Sequence, residues 1–198
     1  LDPGEACDLG AMNVDRPAFL LTFQNGSQPA KPIVSPADAS LFYNYFSASG
    51  HTGFEILDGS ILFLYANSNT KALGRLVEHG IDFTTTGLSQ VMAHITMDIT
   101  GLPAASVVAL SDDTPGEFFK QSATTVHGDW TFQQNSDGGV ISGLPFPGNW
   151  TINVTPTLPA NIKWQFEDGG AMPTPVALGG ASAQIQAFDT PSACRTTC

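Results

Sequence analysis

Positive charge is scarce in this sequence. Only 7 of its 198 residues are Lys or Arg, against 18 Asp or Glu, and the formal net charge is −11. Nucleic-acid backbones and anionic membrane surfaces are bound by clustered cations. The cations here are scattered, among them Lys31, Lys71, Arg75, Lys120 and Lys163. The sequence therefore argues against both kinds of partner, and its diffuse negative field favours solubility and attracts divalent cations.

Charge of either sign is also low, and long apolar runs are missing. Charged residues make up 13% of the chain, about half of the usual share of roughly 25%. The surface must therefore be covered by Ser, Thr, Asn, Gln and Gly, which is typical of secreted β proteins. The longest apolar run, residues 61–66, falls far short of the ~18 residues that a membrane span requires. We expect a packed core, because 42% of the residues are hydrophobic, and no membrane insertion.

Cysteine is confined to the two ends of the chain. Cys7, Cys194 and Cys198 are the three cysteines, too few for a zinc site made of four thiolates at paired spacing. Cysteines at the termini of an exported chain favour a disulfide between its ends. One of three cysteines is then left over. Its partner is expected outside these residues or in a second copy.

The residues around these cysteines resemble a known module. The segments LDPGEACDLG (residues 1–10) and SACRTTC (residues 192–198) resemble the two halves of a short cysteine-rich repeat of secreted and surface proteins of myxobacteria. That repeat has a Gly-Glu-x-Cys-Asp-x-Gly start followed closely by Cys-x-x-x-Cys, whereas here a long insertion separates the halves. A further cysteine usually precedes the first element and is absent here. The resemblance implies a multidomain surface protein, with residues 1–16 and 191–198 as the divided module and residues 17–190 as one inserted domain.

Hydrophobic residues alternate with polar ones through most of the inserted region, which predicts half-buried β-strands. The clearest case is residues 91–99, where Val91, Ala93, Ile95, Met97 and Ile99 share one face. Further strands are predicted at 19–23, 56–66, 73–78, 106–110, 130–133, 139–142, 150–155, 162–167 and 183–188. About ten short strands separated by turn signals predict an all-β protein, an antiparallel β-sandwich of Greek-key or jelly-roll type. Trp130, Trp150 and Trp164 are expected in its core.

Helical signals are few, whereas several turn signals are specific. Ser35 followed by Pro36 is a possible N-cap and first position of one short helix. The pairs Asp58-Gly59 and Asp137-Gly138 suit tight hairpins. Residues 169–182, rich in Gly, Pro and Ala, predict a long loop before the last strand.

An acidic cluster is the first candidate site. Asp112, Asp113 and Glu117 lie within six residues, and Asp137 is able to join them from a neighbouring loop. Carboxylates are hard oxygen ligands of the kind that Ca²⁺ prefers, although the spacing is not that of an EF-hand. The alternative is a turn in which the Asp side chains cap the local backbone.

Histidines give a second, weaker metal hypothesis. His79 is predicted at the end of one strand and His94 on the polar face of another, so a cross-strand pair is possible. The segment His127-Gly-Asp-Trp130 is similar in residue types to copper sites of surface proteins of methane-oxidising bacteria, which use two His and a modified Trp. An exported setting makes copper conceivable. The alternative is that each His is an ordinary hydrogen-bonded strand residue.

Catalytic motifs are not found. The sequence has no Gly-x-Ser-x-Gly elbow and no Gly-rich phosphate loop. It therefore favours a non-enzymatic structural or adhesive module of an extracellular or cell-surface protein, stabilised by Ca²⁺, whose partners are other domains of that protein or a cell-surface polymer. The alternative is a ligand-binding module, for copper through histidines or for carbohydrate through aromatic residues at positions 42–46 and Phe54. A hydrolase on the same scaffold is a third possibility, by analogy of fold alone.

Overall fold

The fold was described from a computed structural model of the chain. It describes residues 18–47, 49–56, 58–80, 93–113, 116–132, 136–170, 172–179 and 182–189. The proposed cysteine-rich halves, with Cys7, Cys194 and Cys198, lie outside the described residues, as do positions 91 and 92 of the alternating segment. The disulfide and module-boundary predictions therefore stay predictions.

Seven strands form the first sheet, in the spatial order β2-β1-β14-β11-β6-β9-β8. Every pairing along this order is antiparallel. Its strands are β1 (Phe19–Phe23), β2 (Gly26–Ala30), β6 (Ala93–Thr100), β8 (Phe118–Lys120), β9 (Thr125–Phe132), β11 (Trp150–Thr157) and β14 (Ala183–Ala187).

The second sheet also has seven strands, six of them in the order β13-β12-β4-β5-β10-β7, with β3 paired to β4. They are β3 (Ile33–Ser35), β4 (Gly59–Asn67), β5 (Leu73–Gly80), β7 (Val107–Ser111), β10 (Asp137–Leu144), β12 (Lys163–Asp168) and β13 (Thr174–Ala177). Among its pairings, β12 with β4 and β3 with β4 are parallel, which the purely antiparallel prediction missed. The sandwich prediction itself is confirmed.

The core lies between the sheets and follows the predicted alternation. Along β6, Ala93, Ile95, Met97 and Ile99 are buried while the residues between them are more exposed. All three tryptophans belong to the same core cluster, as predicted. A smaller apolar cluster on the outer side of the second sheet contains Tyr43 and Phe63, and the single helix of the described residues, α1 (Ala39–Tyr43), contributes to it.

Local signals were less reliable than the alternation. Asp38, and not Ser35, precedes α1, because Ser35 ends β3 and pairs with Asn67. The predicted hairpin turns are wrong, since Asp137 and Gly138 lie inside β10 and Gly59 begins β4. The predicted loop 169–182 contains the edge strand β13. In each case sheet pairing overrides the local turn preference.

No helix within the described ranges has the length and apolar character needed to cross a bilayer.

Two chain connections cross between the sheets near the same place. The segment after β7 passes from the second sheet to β8 in the first, and the segment after β9 passes from the first sheet back to β10 in the second. The backbone N–H of Asp112 donates to the carbonyl of Gly138 at 3.1 Å, which holds the end of β7 against the start of β10. These connections carry the acidic residues singled out above.

Candidate metal centre

Three carboxylates meet where these connections cross. One oxygen each of Asp113, Glu117 and Asp137 lies within 4.8 Å of the others. Asp113 follows β7 and Asp137 begins β10, both in the second sheet, whereas Glu117 precedes β8 in the first. The backbone carbonyl of Glu117 accepts from the N–H of Asp129 at 2.7 Å, which fixes Glu117 to the first sheet. The cluster therefore spans the two sheets.

Asp137 is the buried member of the cluster. Its side chain is 1% exposed. Its Oδ1 accepts from the N–H of Gly138 at 2.8 Å, and its Oδ2 has no hydrogen-bond partner among the residues that the structure describes. Burial raises the pKa of Asp137 to about 8, and the charges of Glu117, Asp112 and Asp113 add to this effect. A buried carboxylate oxygen without a donor is costly, and a bound cation would remove that cost.

Asp112 is close to the cluster but already engaged. Its Oδ2 accepts a 2.6 Å hydrogen bond from the hydroxyl of Tyr43, and its Oδ1 accepts from the N–H of Asp113 at 3.0 Å. Burial raises the pKa of Asp112, partly offset by the hydrogen bond from Tyr43. The predicted set of four acids is thus divided into three candidate ligands and one residue, Asp112, whose side chain bonds to Tyr43 and to the adjacent backbone N–H.

The tyrosine contacts were not predicted. The hydroxyl of Tyr45 donates to Oδ1 of Asp113 at 2.9 Å. Burial and the hydrogen bond to Asp113 raise the pKa of Tyr45 to about 12. The contacting residues are 68 and 69 positions apart in sequence. The only local signal is the aromatic cluster at 42–46, which the sequence favours as a surface patch and not as a support for the acids.

The donor set suits a hard divalent cation. The three residues offer only carboxylate oxygens, the ligands typical of Ca²⁺. No His or Cys joins them among the described residues, which argues against zinc or copper at this position. No Lys or Arg of the described part of the chain forms an ion pair with Asp113 or Asp137. Nothing in that part therefore neutralises the two carboxylates.

The histidines do not form the predicted copper set. His79 is on β5 in the second sheet, fully buried, with its ring 4.6 Å from that of Trp130 and Nδ1 2.9 Å from Oγ of Ser60. His94 lies on β6 of the first sheet and pairs with Asp129 at 2.8 Å on its exposed face. The cross-strand pair of His79 and His94 is therefore wrong, because the two strands belong to different sheets.

The side chains of His127 and Trp130 lie on opposite faces of β9. His127 contacts Asp98 at 2.7 Å on the outer face, whereas Trp130 is fully buried on the inner face. His94 and His127 each pair with an Asp across β6 and β9, as ordinary strand residues do. The structure brings no two of the three candidate histidines to one site.

No protein-family model matches the chain, and no curated protein or solved structure matches it either.

Proposed function

We propose that this chain is a non-enzymatic structural module of an extracellular or cell-surface protein, whose two sheets are tied together by a bound Ca²⁺ ion. The observation that carries the proposal is the buried, unpartnered Oδ2 of Asp137 within a cluster of three carboxylates. A cation there would compensate the buried charge. It would also link Glu117, on the first sheet, to Asp113 and Asp137 on the second.

One cavity among the described residues lacks the groups that acid–base catalysis needs. A cavity of about 440 Å³ is lined by Thr22, Phe23, Gln24, Asn153, Ser182, Ala183 and Gln184. None of these side chains titrates near neutral pH. General acid–base chemistry needs convergent titratable groups in a concave site, and this cavity supplies none.

The extracellular setting is part of the same proposal. It is supported by the low share of charged residues and by the cysteines at both ends, which suit an oxidising compartment. Millimolar extracellular Ca²⁺ would keep even a weak site filled. Neighbouring domains of the same surface protein, or a cell-surface polymer, are the proposed partners.

Calcium titration of the full chain tests the proposal. After removal of metal, we expect Ca²⁺ to bind by calorimetry and to raise the melting temperature, because a ligand that binds only the folded state stabilises it. EDTA should reverse the rise. Mg²⁺ should do less, since it demands tighter octahedral geometry and gives up its waters reluctantly.

Substitutions distinguish the loss of a Ca²⁺ ligand from a general loss of stability. Asp137→Asn should abolish the increment from Ca²⁺, because it removes the buried carboxylate that would bind the ion. Asp113→Asn and Glu117→Gln should also lose that increment. The matched control is Asp98→Asn, which removes a carboxylate paired with His127 on the outer face and should keep the full increment. A wild-type protein with no heat of binding and no thermal shift in Ca²⁺ would overturn the proposal.

A further inference from the structure

The candidate cation site opens to solvent on one side. Asp137 is buried, Glu117 is partly buried and Asp113 is exposed, so the three carboxylates would hold an ion from its inner side. Ca²⁺ takes six to eight oxygen ligands. Some carboxylate oxygens are already engaged, Oδ1 of Asp137 by the N–H of Gly138 and Oδ1 of Asp113 by Tyr45. An ion bound here would keep coordination positions for water on its outer side.

Exposed aromatic rings lie beside that open side. Tyr45 is 39% exposed, and its hydroxyl is bonded to Asp113, the outermost ligand. Phe46 follows at 55% exposed, with its ring stacked on that of His51 at a centroid distance of 3.9 Å and an interplanar angle of 20°. Two exposed aromatic side chains therefore lie beside the rim of the cation site.

Backbone hydrogen bonds among the described residues hold the segment that carries these rings. Asn44 ends α1 in the left-handed conformation, with φ of 54°, and turns the chain toward Tyr45. Phe46 and Ser49 exchange two backbone hydrogen bonds, and the N–H of His51 donates to the carbonyl of Tyr43 at 2.9 Å. The hydroxyl of Ser136 donates to the carbonyl of Gly50, which ties this loop to the segment that leads into Asp137.

We propose that this surface binds a neutral saccharide, with two adjacent hydroxyls completing the coordination of the bound Ca²⁺ and the sugar ring packing on Tyr45 and Phe46. This inference rests on the proposed cation site. Sugar hydroxyls are neutral hard oxygen ligands able to replace water on Ca²⁺. The apolar C–H face of a pyranose packs on aromatic rings, which carry a large apolar surface.

Charge selects the class of saccharide. The chain has a net charge of −11, and Asp112 and Asp113 lie next to the rings. A uronic or sialic acid is negatively charged, so this negative field would repel it, with a single divalent ion to offset the repulsion. Neutral hexose units, as in mannans, galactans or glucans, avoid that repulsion.

Affinity electrophoresis tests the inference with mannan, galactan, dextran and starch as probes. The full chain should be retarded by at least one of these gels in Ca²⁺, and the retardation should fall by about tenfold or more in EDTA. Tyr45→Ala and Phe46→Ala should each weaken retardation about tenfold. Phe46→Ala should do so while keeping the thermal shift in Ca²⁺, whereas Tyr45→Ala also removes the hydrogen bond to Asp113. Phe119→Ala is the matched control, because Phe119 is also 39% exposed and lies against His127 on the other sheet, and it should bind as the wild type does.

The outcomes separate this inference from the proposed function. A thermal shift in Ca²⁺ without retardation by any of the four polysaccharides would overturn saccharide binding and leave the structural cation in place. Retardation that persists in EDTA, or that is seen only with an anionic polysaccharide such as alginate, would also overturn it. Failure to bind Ca²⁺ at all would overturn both proposals.

Discussion

The hydroxyl of Tyr43 donates a 2.6 Å hydrogen bond to the carboxylate of Asp112, and both side chains are buried. This bond joins α1 to the loop after β7. We predict that Tyr43→Phe and Asp112→Asn each lower the free energy of unfolding. Coupling in a double-mutant cycle should be about 1–3 kcal/mol, the range for buried bonds to charged groups.

Urea denaturation of the metal-free protein would measure this coupling. The control cycle pairs Tyr43→Phe with Asp98→Asn, since Asp98 lies on the outer face of the first sheet and should show no coupling. Additive effects of Tyr43→Phe and Asp112→Asn would mean that the bond contributes nothing to stability.

The sequence predicted the acids of the site but not their surroundings. Asp112, Asp113 and Glu117 are neighbours in the chain, so their clustering is visible in one dimension. Their contact with Tyr43 and Tyr45 depends on which strands cross between the sheets, and no local pattern encodes that. The sandwich was predictable because alternation records burial along strands such as β6 and β11, whereas the parallel neighbours of β4 depend on long connections.

The surroundings of the histidines were likewise not predictable from the sequence. His79 and His94 both fit strand patterns, yet one faces the core and the other faces solvent. The sequence around His79 does not say that a second sheet covers it. Only the placement of Trp130 against its ring, from a strand in the opposite sheet, makes it a core residue.

His79 should make stability depend on pH in the acidic range. Burial lowers the pKa of His79 from 6.5 to about 3, so the unfolded chain binds a proton between these values and the folded chain does not. Its contribution to stability is therefore fully present above about pH 6.5 and is lost as the pH falls toward 3, by up to about 1.4 kcal/mol per pH unit.

Comparison with His79→Gln isolates this effect. Both proteins should be unfolded in urea at several pH values between about 7 and 5, in EDTA. The difference between their free energies of unfolding should shift in favour of the variant as the pH falls. Buried carboxyls such as Asp112, whose pKa is raised, act in the opposite direction but are common to both proteins. Parallel curves would show that His79 titrates as it does in the unfolded chain.

Arg75 is a buried cation. It lies on β5 between Leu73 and Val77, on the strand face that contributes to the main core, and is 0% exposed. None of its guanidinium nitrogens has a hydrogen-bond acceptor among the described residues, and burial lowers the pKa of Arg75 to about 9. Replacing even a buried ion pair by apolar side chains of similar volume is often neutral or stabilises a protein, by about 1–4 kcal/mol, and an unpaired buried cation should gain in the same direction.

We therefore predict that Arg75→Met raises the urea midpoint of unfolding. Arg75→Lys, which keeps a buried cation, should not. Lys163→Met is the surface control, since Lys163 is exposed and its removal should change stability by less than about 0.5 kcal/mol. A strong loss of stability in Arg75→Met would show that the guanidinium has a binding partner in the folded protein.

Gly128 makes room for the indole of Trp130. A Cβ added at Gly128 would lie 1.9 Å from the Cη2 atom of that ring. The ring has little freedom to move, because it packs against His79 and Phe118 and its Nε1 donates to the carbonyl of Gly138 at 3.2 Å. Gly128→Ala should therefore destabilise the fold by about 1–3 kcal/mol or more, as overpacking of a core does.

Thermal and urea unfolding would measure the destabilisation by Gly128→Ala and compare it with that of two further variants. Gly170→Ala is the glycine control, since the nearest atoms to its added Cβ are 3.8 Å and 4.0 Å away, and it should behave almost as the wild type. In a Trp130→Phe background the smaller ring should leave space for the methyl group, so Gly128→Ala should cost less there than in the wild type. An equal cost in both backgrounds would mean that the strand itself, and not contact with the indole, requires glycine. Because Trp130 is bonded to Gly138, next to Asp137, the displaced ring should also weaken the stabilisation by Ca²⁺.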